Sequence, residues 1–574
     1  MSGARRNPTL QEVGAWRRLL IGGLLGAGAV IVVGRAFELQ VLERDFLTSE
    51  GNKRAIRTLE VPGHRGVIRD RNGEPLAMSA PVDSVWAVPS AVLASPEYLA
   101  PLARLLGESE SALERRLSER ENRQFLYLRR QMNPADAGRI KALGAPGVFV
   151  QREYRRYYPA AEVAGNVVGF TNIDGHGQEG IEAAQDERLR GAAGKRVVVR
   201  ARDGRIVEDD LDSTPARKGD DIELTLDLRL QYLAYRELKA AVQAHGAKGG
   251  VIVVADPRNG EILAAANQPA FNPNRMEERA SRGVRNRAVT DLFEPGSSVK
   301  PLLVAIGLES GEYQPSSQIR TGNGLLPVGR HLVKDKRAHG TIDLSRLLTK
   351  SSNVGASMVG LHLGSQRLHD GYARFGLGDP VYSGFPGEAI GVLRPHSQWR
   401  DIGTATASYG YGLSVTAMHM VRAYGALASD GVLPSLHFIK GQEALPPQRA
   451  ISAAVAADMR HLMRGVVSVD GTASKAAVSG YTVAGKTGTV RKASAGGYSE
   501  DRHQGMFVGM LPASRPRIVV LVMIDEPGGD VYYGGLVSAP VFARVAGAAA
   551  RLLGIPTDAD PGPALTVAAA GGGA

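Results

Sequence analysis

The sequence predicts an α+β chain: a central antiparallel sheet flanked by helices, carried behind an elongated pedestal and one N-terminal transmembrane helix. Three observations lead there. An uncharged apolar run lies near the N-terminus, strand-like segments stand at both ends of residues 222–553 with helical patterns between them, and 574 residues exceed what one hydrophobic core normally holds. The expected division is a cytoplasmic tail at 1–18, a membrane anchor at 19–41, a pedestal at 42–221, a second folded unit at 222–553 and a disordered tail at 554–574.

The anchor rests on the apolar run from Leu19 to Gly34, continued more weakly through Ala36, Phe37, Leu39, Val41 and Leu42. With Arg35 snorkelling, this is long enough to cross a bilayer. Arg5, Arg6, Arg17 and Arg18 precede it against a single acid, Glu12, so the positive-inside rule keeps the first residues in the cytoplasm and exports the rest. A cleaved signal peptide is the alternative, because Ala27-Gly-Ala29 offers small residues to a peptidase, but apolar residues continue past that point.

Composition sets limits on the chemistry. The absence of Cys excludes disulfides, thiolate catalysis and Cys-ligated zinc. A net charge of +11 favours anionic lipid or polymer, yet the basic residues are scattered without any nucleic-acid-binding pattern, so no nucleic-acid partner is expected.

Along the pedestal, Val67–Gly73 and Pro75–Met78 read as two short strands joined at Asn72-Gly73, and Asn133-Pro134 reads as the capped start of a helix. In the second unit, Ile222–Leu226 alternates like a strand and Leu228–His245 has helical periodicity. Gly250–Ala255 and Glu261–Ala265 read as a hairpin around Asp256–Gly260, Met506–Met510 and Arg517–Ile524 as strands, and Val537–Leu553 as a closing helix. That order implies one sheet built from the two extremes of the unit.

The strongest chemical signal is Phe293-Glu-Pro-Gly-Ser297-Ser-Val-Lys300, followed by an apolar run. Residues three apart at a helix start share a face. A serine hydroxyl becomes a nucleophile when a nearby lysine of depressed pKa takes its proton, and burial or a second cation depresses it. The helix amino end also offers unpaired N–H groups to developing negative charge. Ser-x-x-Lys is weak alone. A second feature, Lys350-Ser351-Ser352-Asn353, offers a hydroxyl and a carboxamide, or simply a helix cap. A third, Ala484-Gly-Lys486-Thr487-Gly488-Thr489, offers a cation for a substrate carboxylate on a strand edge left open by glycines.

The order Ser-x-x-Lys, Ser-x-Asn, Lys-Thr-Gly resembles that of penicillin-binding proteins and class A β-lactamases. Arg65–Gly73, Arg155–Pro159, Gly169–Asn172, Tyr409-Gly-Tyr-Gly412 and Tyr532-Tyr-Gly-Gly535 extend the resemblance, over roughly residues 15–553, to division-specific class B penicillin-binding proteins of the FtsI type. The resemblance implies a serine β-lactamase/transpeptidase-like fold behind a dimerisation-type pedestal. It implies a peptidoglycan D,D-transpeptidase with Ser297 as nucleophile, Lys300 as its base, Ser351 and Asn353 assisting proton transfer and placement, and Lys486 with Thr487 on the terminal carboxylate. The N–H groups of Ser297 and Thr489 would form the oxyanion hole, and Ser352, Gly488 and Tyr409 would touch substrate, although strand-edge packing is an equal reading of Tyr409. No cofactor or metal is implied. Implied partners are stem peptides of membrane-bound precursor strands, β-lactams, a membrane glycosyltransferase and other division proteins, at a bacterial inner membrane with the catalytic unit in the periplasm. Ser at the second position of the middle motif, where β-lactamases often carry Asp, fits the transpeptidase side.

Rival readings have discriminating features. Gly480–Thr487 fits a phosphate-binding loop, with Ile518–Glu526 as its acidic strand, but the residues after Thr487 are β-branched and glycine-rich where an ATPase needs a helix. A D,D-carboxypeptidase or β-lactamase needs a base aimed at water, and no Glu-bearing motif stands between the second and third motifs. A lateral-wall transpeptidase and a catalytically dead division scaffold complete the set. Arg491 is expected to be a solvated loop residue.

Overall fold

The computed structural model describes residues 15–47, 56–61, 63–200, 206–209, 214–281, 283–494 and 497–559. The tail through residue 14 and the C-terminal tail from residue 560 lie outside them. Helix α1 (Ala15–Phe37) continues through a π-helical turn, Glu38–Leu42, so the apolar stretch Trp16–Leu42 has 27 residues, none buried against protein. At 1.5 Å per residue that is roughly 40 Å, enough for a hydrocarbon layer of about 30 Å with tilt to spare.

Packing divides the chain into two compact units that interleave in sequence. The first takes residues 1–63, 83–152 and 192–217. Its core gathers Val85, Leu102, Leu113, Leu117, Leu128 and Ile140. Helix Pro134–Ala142 starts as expected, the Asn133 carboxamide accepting the Ala135 N–H at 2.9 Å with Pro at the first position.

The second unit takes residues 64–82, 153–191 and 218–574. It therefore includes the Asn72-Gly73 hairpin: strands Ile68–Arg69 and Pro75–Ala87 pair antiparallel, and Gly73 adopts φ +91°. The Asp70 carboxylate accepts N–H bonds from Asn72 and Glu74, both at 2.8 Å, and from Leu228 at 3.0 Å, tying the turn to the start of α2 (Leu228–Ala244). The segment Ile222–Leu226 forms strand only at Ile222–Glu223. The Thr225 hydroxyl donates to the Ile262 carbonyl at 2.8 Å, and Asp227 already caps α2, so the chain turns before the strand can lengthen.

The sheet is assembled from β1 (Gly249–Ala255), β2 (Ile262–Gln268), β5 (Ala484–Ser494), β6 (Gly497–Leu511) and β7 (Ile518–Asp525), in the order β2-β1-β7-β6-β5. Every pairing is antiparallel, and β1 meets β7 with Val251 opposite Met523. Every residue of β1 and β7 is buried, which explains their unbroken apolar sequence. Helices α2 and α7 (Ala539–Leu552) pack on each other and on the sheet, and α6 (Ala417–Ala428), buried throughout, packs on β1, β6 and β7. Between β2 and β5 lie α3 (Lys300–Glu309), a hairpin of β3 (Leu325–Val328) and β4 (His331–Lys334), and the consecutive helices α4 (Leu344–Lys350) and α5 (Asn353–Leu363). Edge strand β5 carries the third motif, and the ends of α3, α4 and α5 carry the other two.

Candidate active site

Ser297 sits in a single 3-10 turn, Gly296–Val299, that runs directly into α3. Three bonds pin this turn. The Ser298 hydroxyl donates to Pro295 O at 2.6 Å, the buried Tyr424 hydroxyl to Ser298 O at 2.7 Å, and Gly296 N to Gly410 O at 3.0 Å. Gly296 has φ +53°, and a Cβ there would meet Val490 of β5 at 2.5 Å, so glycine lets the turn lie against the strand. Ser297 itself remains half-buried at the cleft.

Lys300, one turn on, is 0% exposed. Its Nζ donates to the Ser351 carbonyl at 2.6 Å and to Asn353 Oδ1 at 2.7 Å, with the Ser351 hydroxyl at 3.3 Å. A neutral amine has two N–H donors and one lone pair, so two carbonyl-type acceptors suit it and leave the lone pair for a hydroxyl proton. Burial, then the positive charge of Lys486, holds the Lys300 pKa well below that of an ordinary lysine, with Lys336 adding to the depression and Asp335 opposing it.

The acceptors are positioned by the junction between α4 and α5. Ser351 ends α4 in the left-handed conformation (φ +58°). Its N–H bonds to Leu348 O at 3.2 Å and that of Ser352 to Leu347 O at 3.1 Å, a paired closure that normally uses glycine. A serine there carries strain of about 1 kcal/mol or more and turns its carbonyl onto Lys300. Asn353 then opens α5, whose first turn is capped by Asp335: its carboxylate accepts the N–H of Asn353 at 2.5 Å and of Val354 at 3.1 Å, and the Ser352 hydroxyl at 2.6 Å.

On the opposite wall, β5 presents Lys486, also 0% exposed, whose Nζ donates to Thr487 O at 3.2 Å and Thr487 Oγ1 at 3.1 Å. Burial pushes its pKa down to about 7. Thr487 Oγ1 lies 3.1 Å from Thr472 Oγ1, and Thr489 Oγ1 accepts the Gly534 N–H at 3.1 Å. A Cβ at Gly488 would come within 2.6 Å of Met506 and 3.1 Å of Pro295 O, so the strand can approach the serine turn only as glycine.

These groups surround a cleft of about 460 Å³ lined by Ser297, Ser351, Asn353, Thr487 and Thr489, together with Asp335, Lys336, Arg337, His339, Lys350, Thr472, Tyr533, Gly535 and Leu536. Three expected contacts, Gly488, Ser352 and Tyr409, fall outside that lining, and Lys300 and Lys486 lie buried behind it. Ser352 is 1% exposed, bonded to Asp335 and to the Gly355 N–H, so it is a helix cap turned away from substrate. Tyr409 does not line the cleft; it packs edge-on to Tyr411 and against the cluster of Val328, Val354 and Ala405, in keeping with the packing reading. Asp335, Lys336 and Thr472 belong to no motif and were not anticipated, whereas Tyr533 and Gly535 lie in a segment marked by the family resemblance. The phosphate-loop match dissolves, because Lys486 and Thr487 lie within a strand and Asp525 is taken by Arg287 at 2.6 Å and Lys492 at 2.9 Å. Arg491 is exposed, but on β5 instead of a loop.

Comparison with known proteins agrees with this geometry. The family model for the penicillin binding protein transpeptidase domain matches residues 250–547, and that for the penicillin-binding protein dimerisation domain matches 60–224. The chain is 41% identical over 544 residues to a probable peptidoglycan D,D-transpeptidase PenA of Neisseria gonorrhoeae, covering 94% of this chain and 92% of the relative. It is 38% identical to the peptidoglycan D,D-transpeptidase FtsI of Escherichia coli K12, covering 95% and 93%. Penicillin binding protein 3 of Mycobacterium tuberculosis, solved with aztreonam, superposes with a TM-score of 0.68 at 27% identity, covering 87% of this chain and 98% of that one.

Proposed function

We propose, on the premise that the chain belongs to the class B penicillin-binding proteins, that it is a D,D-transpeptidase crosslinking peptidoglycan stem peptides at the division septum through an acyl-enzyme on Ser297. The observation that carries the residue roles is the pair of fully buried lysines, both depressed in pKa, on either side of a cleft that contains Ser297.

In this reading the Ser297 hydroxyl attacks the carbonyl of the penultimate D-alanine and its proton passes to the lone pair of Lys300, with the Ser351 hydroxyl as relay. The N–H groups of Ser297 and Thr489 hold the oxyanion, worth about 3–4 kcal/mol per donor in comparable sites. Lys486 and Thr487 hold the terminal carboxylate, whose arrival re-charges Lys486. The proton on Lys300 returns through Ser351 to the departing amine. An amine from a neighbouring stem then attacks the ester carbonyl, forming the new amide and releasing Ser297. A β-lactam enters the first step as an imitation of the D-Ala-D-Ala end.

Hydrolytic alternatives need a base aimed at water, such as a free carboxylate. Asp335 is the one acid lining the cleft among the described residues, and both its oxygens are occupied by the α5 cap. The apolar helix α1 fits a single-pass anchor, and the arginines before it support a cytoplasmic N-terminus with the catalytic unit outside the inner membrane. Likeness to FtsI supports the septum over the lateral wall, and assembly with a membrane glycosyltransferase and other division proteins. The enzymatic reading is tested by Ser297→Ala, which removes one oxygen and is expected to abolish labelling by fluorescent penicillin without unfolding the protein. Labelling that survives refutes the nucleophile, and a wild type that is never labelled leaves only a scaffold. Sidewall signal from a fluorescent fusion in dividing cells refutes the septal assignment.

A further inference from the structure

The cleft holds more positive charge than the terminal carboxylate requires. In front of buried Lys486, its lining includes Lys336, Arg337 and Lys350, against one carboxylate among the described residues, Asp335, already committed to the α5 cap. Lys350 donates to the Asp470 carbonyl at 2.8 Å. Among the described residues, neither Lys336 nor Arg337 forms an ion pair with any acid.

Lys336 is well placed despite lacking an acid partner among the described residues. The residue before it is held by three bonds to α5 and by Asp335 N donating to Gly324 O at 2.9 Å. Its ammonium lies 3.6 Å from the centroid of the Tyr533 ring, a cation–π contact that fixes the charge without neutralising it. Tyr533 directly precedes Gly534, bonded to Thr489, and Gly535, where a Cβ would lie 3.5 Å from Thr487 and 2.1 Å from Thr472 O. Lys336 thus shares the end of the cleft formed by Thr472 and Thr487.

That end matters because of the order of bond changes. The departing amino acid leaves from beside Thr487, and the incoming amine must attack the ester carbonyl along the path the first amine took, by microscopic reversibility. The space emptied there is the acceptor's, and its wall is cationic.

We propose that Lys336, supported by Arg337, forms an acceptor subsite that draws in a peptide or amino acid carrying a carboxylate close to its nucleophilic amine. The inference rests on the transpeptidase reading. In the step it serves, the amine nitrogen bonds to the acyl carbon, the bond from that carbon to Ser297 Oγ breaks, and the amine proton passes by way of Lys300 to the serine oxygen.

The test uses the full chain in detergent with a thioester donor, measuring how the acyl-enzyme partitions between water and an added amine. The amines are a D-amino acid and its D-amino acid amide, which differ by one carboxylate. Wild type is expected to prefer the acid about tenfold, the size of a charge-assisted contact. Lys336→Met is expected to cut that preference to below about threefold and Lys336→Arg to keep it; the ratio is internal to each variant, so a general change in acylation rate cancels. Equal use of the two amines by wild type, or an undiminished preference in Lys336→Met, overturns the subsite. No thioester turnover at all overturns the transpeptidase reading instead, so the two failures are distinguishable. Should Lys336→Met fold poorly, Arg337→Gln is read the same way, with a smaller loss of preference expected and no loss overturning the supporting role.

Discussion

The two walls of the cleft each bury a lysine, and the two are satisfied differently. On the helical wall, Lys300 finds acceptors far away in sequence, the Ser351 carbonyl and the Asn353 carboxamide, delivered by the turn between α4 and α5. On the strand wall, Lys486 bonds among the described residues only to its own neighbour, Thr487, at longer distances of 3.2 and 3.1 Å. The first has its acceptors in place before substrate arrives, as the proposed proton transfer requires. The second keeps bonding capacity that an incoming anion can take up, and burial makes it wait partly uncharged, with a pKa of about 7. Burial thus serves two purposes, set by where the hydrogen-bond partners come from.

Removing the helical lysine should do the most damage. Lys300→Met is expected to lower the rate of penicillin acylation by about 10²–10⁴-fold, the range for loss of a general base, with overall folding retained. A drop of less than about tenfold in a stopped-flow labelling assay would hand the base to another group. Lys486→Met is expected to cost less, about 10–100-fold in the second-order acylation constant, corresponding to one lost charge-assisted contact with the substrate carboxylate. That loss should shrink for a ligand whose carboxylate is esterified, and an equal loss for both forms would remove Lys486 from carboxylate binding.

Ser351→Gly separates geometry from chemistry on the helical wall. Glycine accepts φ +58° without the serine's strain, so thermal stability should hold or rise by up to about 1 kcal/mol, while loss of the hydroxyl should slow acylation by about tenfold or more. Unchanged acylation would show that only the Ser351 carbonyl matters. The smallest effect is a pH window on stability. Lys486 titrates at about 7 when folded and near 10.5 when unfolded, so between those values the unfolded chain binds more protons and stability rises with pH. Relative to Lys486→Met, wild type should gain thermal stability between about pH 7 and 9; parallel melting curves across that range would mean that the buried lysine keeps its proton.

Much of the fold was legible because periodicity and turn chemistry are local. The β1–β2 hairpin, the capped start at Asn133 and the closing helix are readable from short windows, and their order implies a sheet closed between the two extremes of its unit. The strand after Asp221 is shorter than its alternation suggests, since the competing cap at Asp227 and the Thr225 bond lie outside strand periodicity. At the site, Ser297, Lys300, Ser351, Asn353 and Lys486 stand in recognisable spacings. Ser352 belongs to the same motif yet faces inward, because in a Schellman closure followed by a cap successive side chains point to opposite sides. Asp335 was invisible: a lone acid after a hairpin has no spacing to mark it, and its role appears only when α5 folds back onto it 17 residues later.

The sequence alone determined which side chains are candidates for the chemistry and in what order they stand, because nucleophile, base and anion-binding cation are chosen by residue type, and the first pair by helical pitch. It also determined the long apolar helix near the N-terminus, since apolar length is a property of composition. Only the tertiary structure decided that Lys300 and Lys486 are wholly desolvated, that the charge of one bears on the pKa of the other, and that Lys336, with no acid partner among the described residues, stands against Tyr533. Those facts depend on segments more than a hundred residues apart meeting across a few ångströms, and no local pattern encodes the dielectric of a cleft.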